Sequence, residues 1–185
     1  MNDRVYIFID GSNLEMAVLD SFGKRVLPEP LVKKLVGERR LMGVNYYEAP
    51  LLPDVNKQSY NSQQKFFDRL RMNPYFDVRL GRRVKRDKEY ECPECSHKFV
   101  KTTYEQKGVD TLIAFDLVAL ATRNAYDIAI LVAGDQDFVR PILEVKMMNK
   151  RVENAFTERA WSPILKNVVD KEILLDEDFL KGCFR

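Results

Sequence analysis

A single histidine, His97, stands in all 185 residues. That scarcity excludes a metal-free ribonuclease built on two histidines as acid and base. Cysteine is nearly as scarce. Of the three present, two fall in Cys92-Pro-Glu-Cys95, which suits a reducing compartment and a metal better than a disulfide framework. The cytoplasm is therefore the expected location. No run of eighteen apolar residues occurs, and Met1-Asn-Asp-Arg4 leads directly into a strand-like segment. Neither a membrane-spanning helix nor a secretory leader is expected. There is no Asp-x-Asp after the first strand-like run, where aspartyl-nucleophile phosphatases need one; Asp10 is followed by Gly11 and Ser12. Internal repeats and low-complexity linkers are absent too, and a chain of this length is expected to form one domain, residues 1–185.

What the chain does have is two stretches with the same grammar. Ile128 to Ala133 is a short apolar run, too uniform for a half-solvated strand, and Gly134, Asp135 and Asp137 follow it. Val5 to Ile9 is a similar run, followed by Asp10, Gly11, Ser12 and Asn13. Runs of this kind are central parallel strands covered on both faces. Acids at their carboxyl ends sit where open α/β sheets place ligands. An ordinary strand-to-helix turn with Asp as N-cap needs one Asp, not two. Like charges crowded together are unfavourable unless a cation lies between them, so this arrangement asks for a divalent metal.

The remaining pattern is α/β. Helices are predicted after Asn13, over Leu31 to Leu41 with Gly43 as the stop, over Asn56 to Met72 and over about Phe138 to Met148, with a short one from Trp161 to Val168. Thr111 to Arg123, apolar on nearly all sides, reads as a well-buried crossover helix. Strands are predicted at Val44–Ala49, Phe76–Leu80, Lys150–Phe156 and, weakly, Glu172–Leu175. Right-handed crossovers with one reversal give a mainly parallel sheet of order near 3-2-1-4-5, in which Asp10 meets Asp135 at the switch point. Asp110 opens the crossover helix, as a carboxylate favoured by the helix dipole or as a further ligand of the same cleft. Asp116, six residues on, lies about 120° off that face and is assigned to packing or to support of the ligands.

From Arg82 to Glu105 the α/β pattern stops. Arg79, Arg82, Arg83, Lys85, Arg86 and Lys88 fall within ten positions, and Lys98 and Lys101 follow. We read residues 82–105 as an inserted basic β-hairpin with the cysteines at its tip. A basic arm beside an acidic centre suits a polyanion whose chemistry needs metal ions. Arg82, Arg83, Lys85 and Arg86 would track phosphates, with Tyr90, Phe99 or Tyr104 free to stack on bases. Cys92 and Cys95 have the spacing of one zinc knuckle. His97 offers a third ligand and Cys183 a remote fourth, or two hairpins of a homodimer complete a Cys₄ site, or the pair stays reduced and metal-free.

Phe8-Ile-Asp-Gly-Ser-Asn13, Lys107-Gly-Val-Asp110 with Asp116, and Val132-Ala-Gly-Asp-Gln-Asp-Phe138 together resemble the three motifs of NYN domains. The nearest likeness is to the LabA-like branch of the PIN-like nuclease superfamily. The resemblance runs from about residue 4 to 156, and the order and spacing of all three motifs agree. It implies a PIN-like three-layer Rossmannoid fold, a Mg²⁺- or Mn²⁺-binding cleft and ribonuclease activity on RNA. By position, Asp10, Asp110, Asp135 and Asp137 would form the acidic site, with Asn13 and Lys107 beside it. The family's usual Ser before Gly-Asp is Ala133 here. The alternative is a non-catalytic RNA-binding module that keeps the acidic cleft.

Overall fold

The computed structural model describes residues 3–185. β1 (Arg4–Asp10) lies at the centre of the sheet: Val5, Ile7 and Ile9 point to one side of it, and Tyr6 and Phe8 to the other. After it come α1 (Gly11–Phe22), α2 (Pro28–Val36), β2 (Arg40–Glu48), α3 (Lys57–Arg71) and β3 (Phe76–Leu80). An antiparallel pair interrupts the alternation, β4 (Arg82–Glu91) and β5 (Lys98–Lys107). The alternation resumes with α4 (Val109–Thr122), β6 (Ile128–Val132), α5 (Val139–Met147), β7 (Arg151–Phe156), α6 (Pro163–Lys166), β8 (Lys171–Leu174) and α7 (Glu177–Leu180).

The main sheet has the order β3-β2-β1-β6-β7-β8, and every pairing in it is parallel. With the hairpin strands set aside, this is the expected 3-2-1-4-5 order with the weak terminal strand added at the edge. Both sheet faces are covered, as period-two burial requires. Ile128, Ile130 and Val132 of β6 join α1, α2 and α3 on one side, while Ala129, Leu131 and Ala133 join α4 and α5 on the other.

Two expectations fail here. The helix predicted over residues 31–41 ends at Val36, because Gly37 caps it with a φ of 58° that side-chain-bearing residues rarely adopt. β2 then begins at Arg40. Gly43, predicted as the helix stop, lies inside β2 beside a bulge, where the Tyr6 ring fills the space of a Cβ. The crossover helix α4 is also less enclosed than its composition suggested. It buries one stripe, Val109, Ile113, Leu117 and Ala121, against the sheet, and Phe115 on the far side is 66% exposed. Among the described residues no helix is long and apolar enough to cross a membrane.

Candidate functional site

The parallel register Ile9↔Val132 brings the carboxyl ends of β1 and β6 side by side at the switch point. Asp10 is the N-cap of α1, its Oδ1 accepting from the Asn13 N–H at 3.0 Å. Asn13 Oδ1 in turn accepts from the Gly134 N–H at 3.2 Å, which laces the two strand ends together. Asp135 caps the following 3₁₀ turn, Gln136–Phe138, with Oδ1 accepting from the Asp137 N–H at 2.9 Å. The bland capping role is thus real for both acids, and for each it uses one carboxylate oxygen. Asp110 projects from the first turn of α4, just after Gly108 in its left-handed conformation.

Electrostatically the four acids form one group. Asp10 is 7% exposed, and burial pushes its carboxyl up to about 6, with Asp110 and Asp135 adding to the rise against the pull of two backbone N–H groups. Asp110 is raised first by desolvation and then by Asp135 and Asp137. Lys107 does not answer these charges: its Nζ lies 3.5 Å from Glu105 on the hairpin. A set of hard carboxylate oxygens beside mutually repelling charges fits Mg²⁺ or Mn²⁺. Among the described residues, however, no three His, Cys, Asp or Glu side chains stand grouped to hold a metal ion. The acids are close enough to feel one another but do not form a preassembled coordination sphere.

Sequence reasoning missed Glu48. It ends β2, the strand paired with β1 through Asp10↔Tyr47, so parallel pairing alone places it at the same sheet edge. Its Oε1 accepts from Ser12 Oγ at 2.5 Å and from the Ala49 N–H at 3.0 Å. Burial pushes its carboxyl up to about 7, opposed by those two hydrogen bonds. Ser12 Oγ also accepts from Gln106 Nε2 at 2.7 Å, and Arg83 Nη2 donates to the Ala49 carbonyl at 3.3 Å. The base of the hairpin is therefore latched onto the turn that carries Asp10. Asp116 lies away from the acids, as its helical phase implied: Tyr47 OH donates to its Oδ2 at 2.9 Å and Asn45 Nδ2 at 3.1 Å, tying α4 to β2.

The two motif glycines are sites of close approach. A Cβ at Gly11 would overlap the Tyr46 hydroxyl, and one at Gly134 would overlap the Ala160 carbonyl oxygen. Gly134 thus lets residues 159–163 wall an open crevice with Asn13 and Asp135. Gly134→Ala is expected to lower stability by about 1–3 kcal/mol, the range for overpacking. An unchanged melting temperature would show that this segment is not held against the strand end.

In the hairpin, the register Arg82↔Lys107 to Glu91↔Lys98 separates the predicted phosphate-binding set. Arg82 and Arg86 share a face with Lys88, Lys101 and Lys107, whereas Arg83 and Lys85 lie on the other. Tyr90 and Phe99 end the basic face as a cross-strand stacked pair, centroids 5.8 Å apart. At the tip, Cys92 and Cys95 stay together, and backbone N–H groups of Glu94 and Cys95 lower the Cys92 thiol. His97 meets the turn through its carbonyl, which accepts from the Cys92 N–H at 2.9 Å, and it is not drawn into a three-ligand group with the thiols. Cys183 cannot serve as the remote ligand. It is fully buried in the core beneath α2, where apolar packing holds it.

Comparison with known proteins gives the family and the fold. The family model described as "NYN domain" matches residues 4–176. No curated protein matches the chain. A solved structure of a protein of unknown function from Vibrio parahaemolyticus is similar at a TM-score of 0.71 and 22% identity, over 97% of this chain and 96% of that one. That likeness is one of fold. A putative oxidoreductase from Parabacteroides merdae aligns with a TM-score of 0.35 and 11% identity, over 94% of this chain and 31% of that one, too weak to bear on the site.

Proposed function

The chain belongs to the NYN domain family, a PIN-like nuclease family, and from that premise we propose that it is a metal-dependent ribonuclease acting at the Asp10–Asp135 strand ends. The observation that carries the proposal is the meeting of the Asp10 and Asp135 strand ends, where burial first and the neighbouring acids second raise the Asp10 and Asp110 carboxyls. Asp10, Asp110, Asp135 and Asp137 would hold Mg²⁺ or Mn²⁺. When bound, such an ion supplies positive charge for phosphate oxygens and acidifies a water. The chain's own residues do the rest. The caps at Asp10 and Asp135 fix one oxygen of each carboxylate, and Asn13 holds the two strand ends at a set separation. The basic hairpin face, with Arg82, Arg86, Lys88, Lys101 and Lys107, provides the charge along which an RNA backbone would lie.

The second reading is an RNA-binding module that keeps the acidic cleft and turns over little. Labelled single-stranded and structured RNAs incubated with Mg²⁺, Mn²⁺ or EDTA decide between them, with Asp135→Asn run in parallel. Since even outer-shell partners of metal ligands are worth roughly 10–100-fold, Asp135→Asn is expected to lower metal-dependent cleavage by more than about 100-fold. Equal cleavage by both proteins would assign the activity to a contaminant. RNA binding without cleavage by either would establish the binding module.

A further inference from the structure

A second cavity, about 550 Å³, opens beside the Asp10 turn on the α1 and α3 side of the sheet. Its volume falls within the range of small-molecule sites. Ser12, Tyr46 and Glu48 form its inner wall, and Phe66 and the polar residues Ser62 and Gln63 of α3 form the outer one. Neither the acidic cleft nor the hairpin's basic face uses it.

Its chemistry is set by Arg83, which enters from the opposite hairpin face. Arg25, Arg69 and Arg185 also line the cavity, and the first two are engaged, Arg25 at 3.1 Å by Glu15 and Arg69 at 3.2 Å by Glu29. Arg83 makes one hydrogen bond, the long 3.3 Å one to the Ala49 carbonyl, and its charge also favours the nearby Glu48 carboxylate. Its Nε is buried with no acceptor among the described residues. A buried N–H without a partner is unfavourable, so an incoming acceptor is rewarded there. The guanidinium fork matches the oxygens of a phosphate. Phe66 stands edge-on to Tyr46, centroids 5.5 Å apart, giving the interior an aromatic lining. Gln63 spends its Oε1 on the Leu51 N–H, and its amide NH₂ has no hydrogen bond among the described residues.

We infer that this cavity is a subsite for one nucleotide of the bound RNA strand, with a phosphate on Arg83 and the base in the aromatic and amide-lined interior. The inference rests on the ribonuclease reading for its substrate. Its position supports a strand residue over a free effector. Ser12 is two residues from Asp10, and Glu48 is hydrogen-bonded to Ser12, so the occupant flanks the phosphate at the acidic cleft. The cavity would then select which nucleotide stands beside the cut.

Each of the four nucleoside 5′-monophosphates is titrated calorimetrically into wild-type protein in EDTA, which removes any contribution of metal at the acids. Saturable binding of at least one is expected, weakened about tenfold or more by Arg83→Gln and by Ser62→Trp. Ser62 is exposed on α3, so the Trp variant narrows the mouth without disturbing the core, and circular dichroism checks its fold. With RNA and Mn²⁺, both variants should raise KM and change the preferred cleavage positions. No mononucleotide binding by a wild type that cuts RNA overturns the subsite and leaves the nuclease reading intact. Mononucleotide binding sensitive to both variants, with cleavage positions unaltered, overturns the strand assignment in favour of a free nucleotide. Sensitive binding of mononucleotides and RNA without cleavage supports the subsite while removing the nuclease reading.

Discussion

Asp10→Asn is expected to stabilise the fold at pH 8 by about 2–3 kcal/mol while removing metal-dependent cleavage. Burial moves the carboxyl from 3.8 to about 6, and each pKa unit is worth about 1.4 kcal/mol. The folded chain therefore holds this proton more tightly than the unfolded chain. The stabilisation of the protonated form is complete below about pH 4 and is lost as pH rises through about 6. The gain from Asn should thus be near zero at pH 4 and full above pH 7. Two opposing effects are smaller. Asn caps a helix about as well as Asp, and the lost charge at the start of α1 is worth roughly 0.3–1 kcal/mol. Thermal unfolding from pH 4 to 8 measures the difference. Mg²⁺ or Mn²⁺ should raise the melting temperature of wild type and move the variant far less, since only a native-state ligand site shifts stability by mass action. A variant that is less stable at pH 8, or a gain that ignores pH, would mean that burial does not strain this carboxylate.

Much of this site was legible from sequence because its signals are local. A uniform Val- and Ile-rich run followed by an acid and a glycine specifies a buried parallel strand and its carboxyl end, and two such runs fix the switch point. Asp116 could be set aside on helical phase alone. What stayed hidden depends on contacts distant in sequence. Gly37 and Gly43 look alike as helix stops; only the Tyr6 ring over Gly43 and the φ of Gly37 distinguish them. Glu48 carried no motif; its partner Ser12 lies 36 residues away, and Gln106, which donates to Ser12, lies 94 residues from Ser12. Composition marked α4 as enclosed, yet composition cannot show that nothing covers Phe115.

The hairpin shows how a period-two pattern becomes functional only once register is known. Counted by pairing, one face carries Arg82, Arg86, Lys88, Lys101 and Lys107 against Glu105, and the other carries Arg83, Lys85 and Lys98 against Asp87, Glu89 and Glu91. Glu105 lies within 4 Å of Arg86, Lys88 and Lys107, but all of these are solvent-accessible, and such pairs are worth little. The first face therefore remains free to exchange Glu105 for phosphate. Replacing Arg86, Lys88 and Lys101 together by Gln should weaken single-stranded RNA binding about 100-fold at 0.1 M salt. That figure follows from a salt slope of about 0.7 per phosphate contact on single strands, taken over three contacts. The plot of log affinity against log salt should become shallower by about 2. Replacing Lys85 and Lys98, on the mixed face, should cost far less and leave that slope nearly unchanged. Filter binding from 50 to 300 mM salt resolves both quantities. Equal losses from the two sets would mean that RNA responds to the hairpin's total charge and not to one face. A large loss confined to the first set would place the backbone along Arg86, Lys88 and Lys101, with the stacked Tyr90–Phe99 pair at its outer end.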